Sequence, residues 1–293
     1  MNNLVIICAI LLLVLLFLKV PVYIAVLSAS AVYFIGTPGM NLSIFAQKTI
    51  SGAEGLSLLA IPFFVCAGIF MNYTGVTKRI MNCCEVLTAR MPGGLAQVNI
   101  LLSTLMGGLS GSSLADAAMQ CKMLVPTMES KGYSKSFSTV ITAASGMVVP
   151  LIPPGVGLII YGCINNISIG KLFIAGIGPG IVLCVTLMIF THFLSKKRGY
   201  LPSRTTKIPV SEKIAAVRPA FLPLLLPIII IGGVRIGVFT ASEAGTVAIV
   251  YAVLLGLLYK ELTLKNVMQG CKETVTTTAS IMLIVAAATC FSW

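Results

Sequence analysis

Gly107-Gly108-Leu109-Ser110-Gly111-Ser112-Ser113-Leu114-Ala115-Asp116 interrupts apolar sequence with three glycines, three hydroxyls and the single aspartate of the chain. A carboxylate at membrane depth is expensive and by default marks a substrate or ion pathway. Glycines and serines beside it predict a broken helix, the device by which backbone oxygens are exposed to an ion inside a bilayer. The flanking stretches 94–109 and 114–128 are each shorter than the roughly 20 residues a crossing helix needs. No charged loop separates them. That pattern predicts a re-entrant hairpin spanning 93–128, with a tip that is tolerated only where protein buries it or water reaches it.

The rest of the chain supplies the membrane. Of 293 residues, 57% are hydrophobic and 10% charged, with a mean hydropathy of +1.02; soluble domains carry about 25% charged residues. The chain therefore reads as an all-α polytopic membrane protein. Further apolar segments cover 4–18, 21–36, 56–72, 137–164, 172–194, 219–234, 243–259 and 274–293. The first lacks a basic leader and a cleavage site and reads as a retained span. The last stops inside apolar sequence, as a truncated chain would. The nine cysteines are scattered without a CxxC pair and read as packing residues, not disulfides or metal ligands.

The net charge of +12 reflects cytoplasmic loops and not nucleic-acid binding. The loop 195–218 carries Lys196, Lys197, Arg198, Arg204, Lys207, Lys213 and Arg218 against Glu212 alone, and is assigned to the cytoplasm. With the hairpin counted as one excursion, Lys19, Lys78, Arg79, Arg90, Lys131, Lys135, Lys260, Lys265 and Lys272 also fall inside. Only Lys48, Lys171 and Arg235 fall outside, and Lys122 lies in the hairpin. The hairpin then opens from the cytoplasm and the N-terminus is external. Val76, Ile80, Cys83, Cys84 and Leu87 form one face opposite Lys78, Arg79 and Glu85, which suits either an interfacial amphipathic helix or a helix in a cytoplasmic loop.

Two constellations carry chemistry. In the first, Ser110, Gly111, Ser112 and Ser113 offer hydroxyls and unpaired terminal carbonyls to a hard cation, while the returning half-helix offers its positive end to an anion. Asp116, in the first turn of that half-helix, admits two roles: capping its N–H groups, or coupling directly to Na+ or a proton. The second is Ser145-Gly146-Met147-Val148-Val149-Pro150-Leu151-Ile152-Pro153-Pro154-Gly155. Each proline removes a donor and frees the carbonyl four residues earlier. Pro150 thus frees Gly146, Pro153 frees Val149 and Pro154 frees Pro150. A broken helix over 137–164 follows.

These residues carry a resemblance. SGSSLADAA, PLIPPG and GGVRIGVFTASEAG, with LLAIPFFVCAG (58–68) and PGGLAQVNILLSTLMGGLSGSS, resemble the large membrane subunit of tripartite ATP-independent periplasmic (TRAP) transporters over essentially the whole chain. The resemblance implies sodium-driven import of an organic acid of the C4-dicarboxylate, sialic acid or sugar-acid class. It implies two partners, a small four-span membrane subunit and a periplasmic substrate-binding protein, in a bacterial inner membrane. It also implies an elevator-type ion-transporter fold with a re-entrant hairpin and broken helices, an inverted repeat whose second half is incomplete here. In that scheme 1–92 is scaffold, 93–194 half of the transport domain, 195–218 a basic cytoplasmic loop and 219–293 the start of the second repeat. The second hairpin, broken helix and sodium site are expected beyond Trp293. Carried over by motif, Ser110, Ser112, Ser113, Gly146, Val149 and Pro150 form a sodium site, with Pro153 and Pro154 shaping it and Asp116 supporting or coupling it. Two departures stand out. Gly155 replaces the usual serine, and Phe239-Thr240-Ala241-Ser242-Glu243 lacks the proline of FTPTE.

Some residues also fit other classes. Gly108-Leu109-Ser110-Gly111 spells the GxSG of intramembrane serine proteases, which would need His192, the single histidine, beside Ser110. A channel would need a symmetric ring of carbonyls or charges, which the sequence lacks. A sodium/dicarboxylate symporter independent of a binding protein shares the broken-hairpin logic and differs in its delivery partner. Arg235 reads either as an anion attractor or as a snorkelling side chain beside a helix capped by Thr240 and Ser242.

Overall fold

The computed structural model describes residues 2–204, 206 and 208–293; Lys207 lies outside the described residues. Among these the secondary structure is helical, with no strand. Two compact units are formed, one by residues 1–59 and 273–293, the other by 60–272.

In the first unit, α1 (Asn2–Phe17) packs on α2 (Val22–Gly36), and α2 on α3 (Leu42–Ser51). The Trp293 ring stacks on Phe34 with centroids 5.6 Å apart, and Lys48 Nζ sits 5.1 Å from the Trp293 ring centre. The sequence reading placed no helix at 42–51. Its polar residues hide the pattern, although Asn41 caps it by accepting from the Ser43 N–H at 3.1 Å.

A 3-10 turn (Leu56–Leu59) closes the first stretch of the first unit, and the second unit opens with α4 (Ala60–Tyr73). It continues with α5 (Val76–Thr88), α6 (Gly94–Ser110), α7 (Ser113–Ser130), α8 (Lys135–Ser145), α9 (Val156–Ile164), α10 (Ile169–Lys197), α11 (Val210–Ile236) and α12 (Ala241–Leu258). The start of α13 (Leu264–Ser292) also belongs here. Among the described residues, five stretches are long and apolar enough to cross a bilayer: 56–73, α10, α11, α12 and α13. α13 begins ten residues before the apolar segment 274–293, because Lys265, Lys272 and Glu273 disguise its first turns.

α6 is the hub, touching α4, α5, α7, α8, α10 and α11. Where water is not available to drive association, small residues let backbones approach. A Cβ on Gly245 of α12 would lie 2.7 Å from Phe63 Cβ, and one on Gly68 of α4 would lie 2.6 Å from the Ser110 carbonyl oxygen. The outer face of α10 remains apolar and exposed at Ile181, Val182, Val185, Ile189, Phe190 and Phe193, as suits contact with lipid.

α5 buries Val76, Thr77, Ile80, Cys83, Cys84 and Thr88 against α6 and α11. Its apolar face is thus covered by protein, and Leu87, grouped with that face from its spacing, is half exposed. Arg79 lies over the Tyr259 ring at 3.7 Å and bonds the Gly75 carbonyl at 2.9 Å. α12 starts with a capping box. The Thr240 N–H donates to Glu243 Oε2 at 2.7 Å, and the Glu243 N–H donates to Thr240 Oγ1 at 3.3 Å. Ser242 lies within the helix and does not share the cap.

A buried polar link fixes α6 to α8. Asn99 Nδ2 donates to Thr142 Oγ1 at 2.7 Å, and Ser145 Oγ donates to Asn99 Oδ1 at 2.8 Å. All three residues are fully buried. Asn99→Leu removes both of these bonds, while Thr142 Oγ1 keeps the Ser138 carbonyl and Ser145 Oγ the Thr142 carbonyl, each at 2.9 Å; each lost bond is worth about 0.5–1.5 kcal/mol. The variant is expected to lower the apparent melting temperature in detergent by several degrees, measured by differential scanning fluorimetry. An unchanged value would show the link to be dispensable.

Candidate functional site

α6 and α7 form an antiparallel helical hairpin with a two-residue tip, Gly111-Ser112. Gly111 ends α6 at φ +61, its N–H bonded to the Gly107 carbonyl at 3.1 Å. This is the left-handed C-terminal turn that glycine adopts most easily. Ser112 is the N-cap of α7 and accepts from the Ala115 N–H at 3.4 Å. Ser113 is the first residue of α7.

The aspartate does something else. Asp116 is buried, and its side chain reaches back across the hairpin and not to the helix end. Ser103 Oγ donates to Asp116 Oδ2 at 2.7 Å, and Gln120 Nε2 donates to the same oxygen at 2.7 Å and to Ser103 Oγ at 2.6 Å. The capping role considered for Asp116 is therefore filled by Ser112, whose shorter side chain and position before the first turn suit it better. Asp116 Oδ1, Gln120 Oε1 and Ser110 Oγ are buried without a hydrogen-bond partner. Ser103 and Gln120 escape a linear reading because their pairing depends on where the chain turns. Each half-hairpin carries several polar residues, among them Gln97, Asn99, Ser103 and Thr104 in α6, and their spacing does not mark which one meets Asp116.

The second interruption is equally distinct. α8 ends at Ser145 and α9 resumes at Val156, with a non-helical segment between them that contains a cis Pro153-Pro154 bond. Among the described residues, no backbone N–H donates to the carbonyls of Gly146, Val149 or Pro150. These are the three carbonyls the proline positions free.

Glycines bring the two interruptions together. A Cβ on Gly107 would lie 3.0 Å from Val149 Cα and 3.1 Å from its carbonyl oxygen. A Cβ on Gly108 would lie 3.1 Å from the Pro153 oxygen, and one on Gly111 would lie 2.9 Å from the Pro154 oxygen and 3.2 Å from the Val156 nitrogen. Gly146 faces the Ser113 carbonyl, 3.6 Å from where its Cβ would be. Tip and break are thus in backbone contact, with Gly107, Gly108, Gly111 and Ser113 on one side and Gly146, Val149, Pro153 and Pro154 on the other; the Ser110 carbonyl meets Gly68 of α4. Gly155 folds onto the Pro150 carbonyl so closely that any side chain there would displace it. The glycine that departs from the usual serine is therefore required by this backbone. Gly107 and Gly108 read from sequence as part of the interruption, but their contact with the proline break, like the contact of Gly68 with Ser110, is a tertiary fact.

Ser110 Oγ has no hydrogen-bond partner, so His192 does not act on it as a base. His192 instead meets the ring of Phe193 edge-on.

A helical membrane protein with a hairpin tip seated on a broken helix belongs to the class of membrane transport proteins that use interrupted helices. Residues 9–293 match the family described as tripartite ATP-independent periplasmic transporter, DctM component, and the chain belongs to that family. It is 41% identical over 280 residues to the sialic acid TRAP transporter large permease protein SiaM of Vibrio cholerae, covering 95% of this chain and 65% of that protein. It is 38% identical to the 2,3-diketo-L-gulonate TRAP transporter large permease protein YiaN of Escherichia coli, over 93% of this chain and 64% of that one. To the ectoine TRAP transporter large permease protein TeaC of Halomonas elongata it is 36% identical, over 95% and 66%. The chain thus spans just under two thirds of the length of these relatives. The family is one of transporters and not of enzymes, and the protease reading is set aside.

Proposed function

We propose that the chain serves as the large permease subunit of a sodium-coupled importer of an organic acid in a bacterial inner membrane. The observation that carries this reading is the seating of the hairpin tip on the proline break, beside three carbonyls without backbone donors and a buried, unpartnered Ser110 hydroxyl. Carbonyl and hydroxyl oxygens suit a hard, weakly charged ion such as Na+. Ser110, Ser112 and Ser113 would contribute from the tip, and Gly146, Val149 and Pro150 from the break. The cation offsets the charge of a carboxylate substrate near the N-terminal end of α7. Sialic acid and 2,3-diketo-L-gulonate, named for two relatives, are both organic acids; a sugar-acid substrate fits best. Delivery by a soluble periplasmic protein and partnership with a small membrane subunit accompany this reading, as does an elevator motion of the hairpin and break together. In this topology the hairpin re-enters from the cytoplasm.

The test is uptake by the assembled system in proteoliposomes under an inward sodium gradient. Ser112→Ala and Ser110→Ala are expected to raise the sodium concentration for half-maximal uptake at least about fivefold, that is about 1 kcal/mol of ion binding. Identical sodium curves for both variants would remove the proposed site. Saturable uptake without the soluble binder would favour an independent sodium/dicarboxylate symporter instead.

A further inference from the structure

A cavity of about 400 Å³ lies away from the hairpin tip, between the start of α6, the turn after α7 and the segment that follows α10. Its polar wall is Lys131, Tyr133, Arg198, Tyr200 and Ser203, and no acidic residue lines it. Among the described residues the one ion pair is Arg204–Glu212, so neither Lys131 nor Arg198 is neutralised by a carboxylate. A neighbouring cavity shares Lys131 and Ser203 but adds Glu85, and its Arg204 is the residue already paired with Glu212. The first cavity is therefore the electropositive one.

It is also built in advance. Tyr133 and Tyr200 stack with centroids 4.4 Å apart, Phe137 lies 5.1 Å from Tyr200, and the Arg198 guanidinium is held 5.3 Å over Phe137. The Ser134 N–H fixes the Tyr200 hydroxyl at 3.1 Å. The Gly93 N–H before α6 donates to the Tyr200 carbonyl at 3.2 Å, which ties that helix end to the cavity wall. Ser203 Oγ lies 2.6 Å from where a Cβ on Gly94 would be, which places its hydroxyl at that helix end. A guanidinium, an ammonium and hydroxyls around one space match a tetrahedral oxyanion. The site lies where the apolar run of α10 gives way to Lys196 and Lys197, the depth of lipid headgroups. Leu201 on its rim is 80% exposed and Phe193 on α10 is 67% exposed, offering apolar surface to an acyl chain.

We propose that this cavity binds a phosphate-bearing anion at the membrane surface. The probes are short-chain phosphatidylglycerol and inorganic phosphate, titrated into the full-length protein in neutral detergent and read by native mass spectrometry and thermal shift. Saturable binding of phosphatidylglycerol is expected, weakened at least about tenfold by Lys131→Gln with Arg198→Gln. Lys213→Gln with Lys265→Gln, which removes equal charge elsewhere, should change it less than twofold. Saturation by the lipid alone identifies a headgroup site; competition by inorganic phosphate identifies a soluble anion. Should Arg198→Gln impair folding, Ser203→Asp, exposed and carrying opposite charge to the cavity, should weaken binding to the same degree. Saturation by neither probe, or equal losses in both charge-removed pairs, overturns the proposal.

Discussion

Gly111→Val is expected to reduce substrate uptake by the assembled transporter at least about 100-fold while the protein still reaches the membrane. Position 111 has φ +61, where a Cβ costs about 1–2 kcal/mol and a β-branched side chain more. The new Cβ would also meet the Pro154 oxygen at 2.9 Å and the Val156 nitrogen at 3.2 Å, both backbone atoms with little freedom to withdraw. Overpacking of this kind adds about 1–3 kcal/mol. The cheapest escape is for the tip to lift off the break, which separates the oxygens proposed to share the ion. Gly132→Ala is the control. Its φ of +85 imposes similar strain, but no atom lies within 4 Å of the added Cβ. Uptake should survive there. Gly111→Val that transports like the unaltered protein would mean that contact between tip and break is unnecessary.

Asp116→Ala is expected to abolish uptake and lower the apparent melting temperature together, whereas Asp116→Asn should separate the two. Alanine leaves Ser103 Oγ and Gln120 Nε2 without their shared acceptor in a buried setting, a loss of about 2–4 kcal/mol. Asparagine keeps one oxygen able to accept from both, so the hairpin stays assembled while the charge is removed. Under the coupling role, Asp116→Asn melts within a few degrees of the unaltered protein but loses at least about tenfold in sodium-driven uptake. Full uptake by Asp116→Asn would reduce Asp116 to a brace across the hairpin. Measuring uptake and melting on the same preparations decides between the roles.

Much of this arrangement was legible in the residues, for reasons that differ by element. The hairpin shows itself because glycine and serine cluster where an apolar helix would otherwise continue. The break shows itself because three prolines within five residues remove donors in a way no helix tolerates. Both are local effects. The contact of Gly107, Gly108 and Gly111 with Val149, Pro153 and Pro154 is not local, and nothing in either motif encodes the other's position. The same limit hid Ser103 as the partner of Asp116, thirteen residues away across a turn. Among three serines at the tip, only the geometry distinguishes Ser112 as the cap. α3 and the first turns of α13 were missed because charged and polar side chains on a helix resemble those of a loop when burial is unknown.

The chain after α10 had the composition of a plain basic linker, yet its first residues are tied down. The Tyr200 carbonyl accepts from the Gly93 N–H, the Tyr200 hydroxyl accepts from the Ser134 N–H, and the Ala89 carbonyl accepts from the Arg204 N–H. One short strap therefore buckles the ends of α5 and α10 to the beginnings of α6 and α8. Pulling on any of these four rods at that edge tugs the other three, so the oxygens at the far end of two of them cannot drift apart by slippage at their roots.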